Sequence, residues 1–160
     1  GILLPISERI TLAIILANVW QRPIYISSNA SKFLPYSIGF TEFSKLEGLT
    51  ARLYTEKIPI NQSVDGDRCF ELLTEVFKFE YFKDQSSYKD RDLAFIATNY
   101  RFMFIQALYY FSKNNTNTHY SEVLLTQFEK YFSEYYYPRT QEEMNLFDKI
   151  KSQSKVESNK

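Results

Sequence analysis

The sequence predicts an α+β fold that is mainly α. Two observations lead there. Apolar residues recur at helical spacing, i, i+3, i+4, i+7, through nearly everything beyond residue 66, while the alternation that marks a strand appears only before residue 58. Glycine is also scarce, 4 among 160 residues, so tight Gly-dependent turns and phosphate loops have few places to form. The expected organisation is a buried N-terminal helix with a two-stranded ribbon (1–58), a connector (59–66), repeat-like antiparallel helical hairpins (67–150) and a disordered polar tail (151–160).

The first helix is read from Glu8 to about Val19, capped by Ser7, with Glu8 placed where the helix dipole favours a carboxylate. Its body, Ile10 to Ala17, is apolar nearly all round, which predicts burial on most faces. Pro23 is expected to end it, because the residue before a proline avoids helical dihedrals. Ile24 to Ser27 reads as a short strand, followed by a Ser/Asn/Lys loop containing Pro35 and Gly39. Leu49 to Thr55 alternates, with Leu49, Ala51 and Leu53 on one face. A two-stranded ribbon is unstable alone, so it is expected to pack on the helix.

Ile58 to Gly66 carries Pro59, Asn61, Ser63 and Asp65, a cluster of turn formers that marks an internal boundary. Beyond it, Cys69, Leu72, Leu73, Val76 and Phe77 form a helical stripe with Asp67 as the expected cap. A longer stripe runs from Leu93 through Tyr100, Phe104 and Leu108 to Phe111, and the Lys113–Thr118 run breaks it. Another runs from Tyr120 through Leu124, Phe128 and Phe132 to Tyr135, and Pro138 ends it. Thr140 and Glu143 form a capping box ahead of Met144, Phe147 and Ile150. Two long stripes joined by a short polar loop make an antiparallel hairpin, the unit of tetratricopeptide-like (TPR-like) arrays.

Charge and composition exclude several classes. The 19 basic and 19 acidic side chains cancel, so no basic field attracts a phosphate backbone and nucleic acid is not an expected partner. The longest uncharged run, Ile10 to Gln21, is about twelve residues, short of the roughly 20 a membrane helix needs. Gly1 directly before Ile2 reads as a cloning remnant, and the chain as a fragment of something longer. A catalytic centre needs a placed nucleophile, base or metal cluster. With one Cys and one His, zinc sites of the usual kinds are excluded by count, and no cofactor or metal is expected. Cys69 reads as a buried structural thiol and His119 as an exposed loop residue. The paired carboxylates Glu142-Glu143 and Asp65/Asp67 are explained by capping and turns. No catalytic residue is assigned.

The aromatics are abundant: 13 Tyr, 14 Phe and 1 Trp. Consecutive helical residues point in different directions, so Tyr109-Tyr110 and Tyr135-Tyr136-Tyr137 cannot all face one core. These five tyrosines are the candidate ligand or partner surface, for sugar rings or a protein.

The block Asn18-Val19-Trp20-Gln21-Arg22-Pro23-Ile24-Tyr25 and the later block Leu46-Glu47-Gly48-Leu49-Thr50-Ala51-Arg52-Leu53 resemble a bacterial family of large multi-spanning membrane proteins of unknown function. That family is related to protein O-mannosyltransferases and to lipid-linked-sugar transferases of the GT-C class. Its pattern is an Asn-x-Trp-x-Arg-Pro-Ile-Tyr block and a Leu-Glu-Gly-Leu-x-x-Arg-Leu block, matched over residues 10 to 58; Asn99-Tyr100-Arg101 fits a looser third block. Where the family commonly has Val-Pro after the second block, this chain has Tyr54-Thr55. Asn18, Trp20, Arg22, Pro23, Tyr25, Leu46, Glu47, Gly48 and Arg52 are the motif positions, read as architecture: a helix end, a turn, and an ion pair among Arg22, Glu47 and Arg52 that ties ribbon to helix.

The resemblance implies a non-catalytic domain on the periplasmic face of the bacterial inner membrane, attached to the membrane-spanning part of the same polypeptide and helping to position a glycan or an acceptor protein. The other reading from the residues is a protein–protein scaffold built on TPR-like helices.

Overall fold

A computed structural model describes residues 4–27, 39–83, 91–114 and 118–157. The expected loop with Pro35 and the middle of the Lys113–Thr118 break lie outside them. The fold is mainly α with a small antiparallel sheet. The chain divides into two compact units, residues 1–63 and 64–160.

In the first unit, helix α1 spans Ile6–Asn18. It begins earlier than expected: Pro5, not Ser7, occupies the cap position, and no side chain caps it. The fixed φ of proline suits a helix start, where its missing N–H costs nothing. The helix also stops before Pro23 can act. Val19 and Trp20 both take left-handed φ, 49° and 59°, and turn the chain out of the helix.

Strands β1 (Tyr25–Ser27), β2 (Ser44–Glu47) and β3 (Thr50–Leu53) form a sheet ordered β1-β3-β2, antiparallel throughout. The sheet therefore has one strand more than the expected ribbon. β2 escapes the alternation test because Ser44-Lys45-Leu46-Glu47 holds a single large apolar residue and none of its positions is fully buried. The β2–β3 turn is Gly48-Leu49, with Gly48 at φ 73°, as a two-residue hairpin requires at its first position. Ala51 and Leu53 are buried as their alternation predicts.

Ile15, Ile26 and Leu53 make the small core of this unit, flanked by Ile24 and Phe40, so the sheet does pack on α1. The expectation of an all-round buried helix is overturned. Ile10, Ile14 and Leu16 are 55%, 59% and 76% exposed, and Ile15 is the apolar residue of α1 that is buried. One short sheet covers one face of a helix; the described residues supply nothing for the others.

The second unit opens with α2 (Gly66–Glu71). Its cap is Asp65, whose side chain accepts from the Arg68 N–H at 3.0 Å, not Asp67. The last turn, Leu72–Val76, widens to a π-helix that ends when Phe77 becomes extended, leaving Val76 exposed where helical spacing had placed it on the core stripe. A short helix, α3 (Glu80–Lys83), follows.

Three longer helices complete the unit: α4 (Arg91–Asn114), α5 (Thr118–Tyr131) and α6 (Gln141–Glu157). Ring contacts give their directions. Phe111 meets Tyr120 and Phe104 meets Phe128, so α5 returns antiparallel to α4. Arg101 pairs with Glu143 and Lys149 reaches Ser112, so α6 runs parallel to α4. The core between them is aromatic: Phe79, Phe104, Phe128, Phe132 and Phe147 are the largest fully buried side chains. Phe79 lies within 6.5 Å, centroid to centroid, of Phe82, Tyr100, Phe104, Tyr131 and Phe132.

The tail expectation also changes. α6 continues to Glu157 because no Pro or Gly interrupts it after Pro138. Lys151 Nζ, inside the expected tail, donates to Glu129 at 2.9 Å and ties it to α5.

Candidate functional site

The two motif blocks form one hydrogen-bonded unit in the first domain. Asn18 makes the turn after α1. Its Nδ2 donates to the Arg22 carbonyl at 2.9 Å, its Oδ1 accepts from the Arg22 N–H at 3.1 Å, and its own carbonyl accepts from Gln21 N–H at 3.0 Å. An amide side chain can satisfy a donor and an acceptor together, as a backbone group would. This clamp holds Val19 and Trp20 in their left-handed conformations, which cost on the order of 1–3 kcal/mol each for residues other than glycine. The closed turn delivers Pro23 and β1 to the sheet. Trp20 lines a hollow of about 270 Å³ with Phe40, Phe43, Leu53 and Tyr54.

Glu47 is the centre of the second block. Its carboxylate accepts from Tyr25 Oη and Tyr54 Oη, each at 3.2 Å, and lies 3.9 Å from Arg52 Nη1. Its side chain is 12% exposed. Tyr25 sits opposite Arg52 across the β1–β3 pair, so a residue of the first block reaches a residue of the second over β3. The Arg52 guanidinium also lies 5.2 Å from the Tyr54 ring centre. Burial, and next the Glu47 charge, raise the Tyr54 phenol above its ordinary value. The expected ion pair therefore forms within the sheet, between Glu47 and Arg52. Arg22 contributes its backbone to the Asn18 clamp and stays exposed.

The five candidate tyrosines do not form one surface. Tyr137 is 7% exposed, its ring 5.5 Å from Phe132 and 5.9 Å from the Arg101 guanidinium, and it leaves the candidate list. The residues after Tyr131 are a turn and not a helix: Ser133 O accepts from the Tyr136 and Tyr137 N–H groups. That turn sends Tyr137 inward and Tyr135 outward, 86% exposed. Tyr110 is half-buried against Phe111 and beside Gly66, where a Cβ would collide with its ring. Tyr136 borders a hollow with Phe82, Glu129 and Arg139. Tyr109, 54% exposed, stands apart from these in a groove between α4 and α6.

That groove has a volume of about 760 Å³, within the range of small-ligand sites. Among its lining residues Glu143 is paired with Arg101, whose Nη2 donates to both Glu143 oxygens at 3.1 Å and to Pro138 O at 3.2 Å. Glu143 also accepts from Thr140 N–H at 2.8 Å, while Thr140 Oγ1 accepts from Glu143 N–H, the reciprocal capping box the sequence predicts. A carboxylate read as a cap alone is thus also half of a largely buried ion pair. The visible signal was Arg101 itself, one charge inside the apolar stripe from Tyr100 to Phe104.

Cys69 is fully buried and His119 exposed, its ring beside Tyr120. Among the described residues, no three His, Cys, Asp or Glu side chains gather in a metal-binding group. No described helix is long and apolar enough to cross a membrane. No family model, curated protein or solved structure matches this chain.

Proposed function

We propose that this chain is a non-catalytic extracytoplasmic domain of a membrane glycosyltransferase of the GT-C kind, on the periplasmic face of a bacterial inner membrane, where it helps to position a glycan or an acceptor. The observation that carries the reading is α1. Ile6, Ile10, Ile14, Leu16, Val19 and Trp20 are exposed on and just after one helix, an apolar surface that soluble proteins rarely leave uncovered. Such a helix is built for a neighbour that the described residues do not provide. The membrane-spanning part of the same polypeptide is that neighbour in this reading. The resemblance of the two motif blocks to multi-spanning membrane proteins points to the same partner, and those blocks lie directly against α1.

The coding sequence upstream of Ile2 tests this. The proposal predicts several apolar spans of about 20 residues there, with acidic residues in the first extracytoplasmic loop. A reading frame that opens at Ile2 without spans contradicts it and leaves a free-standing helical adaptor.

A further inference from the structure

The α4/α6 groove has an ordered chemistry that the motif blocks do not touch. Gln106, Tyr109 and Lys113 follow one another along α4 at spacings of three and four, one side of a helix. Glu142, Asn145 and Lys149 do the same along α6. The two helices run parallel, fixed by Arg101–Glu143 toward one end and by Lys149–Ser112 toward the other. The two stripes therefore run in the same direction. Gln106 and Glu142 begin them, Tyr109 and Asn145 follow, and Lys113 and Lys149 end them.

Each tier has a different capacity. Amide and carboxylate groups such as those of Gln106, Glu142 and Asn145 present paired donors or acceptors on a plane, the spacing that neighbouring hydroxyls of a sugar ring use. Tyr109 offers a ring face on which a sugar's C–H face can lie. At the far end, neither ammonium has a carboxylate partner among the described residues. Lys113 Nζ lies 5.7 Å from the Tyr109 ring centre, and Lys149 Nζ donates to the Ser112 carbonyl at 3.3 Å. Ser112 itself lies buried in the groove wall, its hydroxyl without a hydrogen-bond partner.

Two other occupants fit less well. A docked helix needs a continuous apolar trough, and although Ile105 and Leu146 line this groove, Gln106, Glu142, Asn145, Lys113 and Lys149 line it as well. An extended peptide gains its affinity from main-chain bonds to an open sheet edge, and both walls here are helices with satisfied backbones.

We infer that the groove binds an anionic saccharide, a sugar ring over Tyr109 with its carboxylate or phosphate between Lys113 and Lys149. This deepens the accessory-domain reading and rests on it for its biological role, because a transferase domain would meet acidic or phosphate-linked sugars. The binding chemistry is separable from that role.

The test is an NMR titration of the 160-residue chain with digalacturonic acid, mannose 1-phosphate, neutral mannobiose and a tyrosine-containing tetrapeptide. At least one anionic sugar is expected to shift the signals of Gln106, Tyr109 and Asn145, with affinity at least tenfold above mannobiose and falling as salt screens the charges. Which anionic sugar binds distinguishes carboxylate from phosphate. Tyr109→Ala and Lys113→Gln, both at exposed positions, are expected to weaken binding at least tenfold, while Tyr135→Ala leaves it unchanged. Absence of groove shifts with both anionic sugars, equal binding of mannobiose, or a response to the tetrapeptide alone overturns the inference. Sugar binding by a chain whose reading frame has no membrane spans would remove the transferase reading and keep the groove. Spans upstream with no sugar binding would do the reverse.

Discussion

The two units of this chain are built on opposite principles. The first is held by directional polar contacts, the Asn18 clamp and the Glu47 cluster, around a core of Ile15, Ile26 and Leu53. The second is held by stacked and edge-on rings in a dense aromatic core. The first displays its most apolar helix to solvent, and the second buries the aromatic centre of its stripes while Val76, Phe95, Ile96, Phe102 and Tyr135 stay exposed. A unit with a complete core, such as the second, can offer its surface to a soluble ligand. A unit that leaves its most apolar helix exposed, such as the first, is where the proposed membrane neighbour would dock.

The largest effects are expected in the aromatic core. Phe104→Ala removes a fully buried ring in contact with Phe79, Phe128 and Phe132 and is expected to destabilise the second unit by about 4 kcal/mol in urea unfolding. A loss below about 1 kcal/mol would show a core far looser than its ring contacts indicate. Arg101→Ala strands the Glu143 carboxylate and unpairs the start of α6, with an expected loss of about 3 kcal/mol. Arg101→Lys should recover only part, because an ammonium can replace the Nη2 contact to Glu143 but not the flat guanidinium that lies 5.9 Å from the Phe128 and Tyr137 ring centres.

In the first unit the effects are smaller and of both signs. Asn18→Ala removes two bonds that hold the turn and is expected to cost about 1–2 kcal/mol. Val19→Gly should stabilise by about 1 kcal/mol, since glycine takes the left-handed φ without strain. If Val19→Gly destabilises, the turn is held by packing of the valine and not by Asn18. The smallest effect concerns pH. Burial and then the Glu47 charge put the Tyr54 phenol above its ordinary value, so its contribution to stability is full below about pH 10 and is lost as pH rises through the folded value. Glu47→Gln should lower the Tyr54 value only partway, because burial is the larger cause; ring-carbon NMR over an alkaline titration reads this directly.

Periodicity made much of the second unit legible: Phe104, Leu108, Leu124, Phe128 and Phe147 are core residues by spacing and by burial. It failed where the backbone departs from α-helix. Phe79 is a hub of the core yet follows a π turn and an extended residue, so no helical template selects it. Tyr137 was misassigned for a similar reason, since a turn after Tyr131 replaces the expected helix and points the ring inward. In the first unit, resemblance selected Asn18 and Glu47 but not their work, because a clamp and a hydrogen-bond hub depend on partners four to twenty-two residues away. The apolar run of α1 predicts burial all round because composition counts apolar residues and does not say how many faces of the helix a short sheet can cover. The α4/α6 groove had no sequence signature beyond Tyr109, as its walls come from helices some forty residues apart.

Cysteine labelling tests directly whether a membrane-embedded part of the full-length protein covers α1, as proposed. Cys69 is fully buried, so Leu16→Cys would place a single accessible thiol on the exposed face of α1. A water-soluble maleimide is expected to label it rapidly in the isolated 160-residue chain and at least tenfold more slowly in the full-length protein folded in its membrane. Equal labelling rates in the two forms would mean that α1 has no such cover and would contradict the membrane-domain reading.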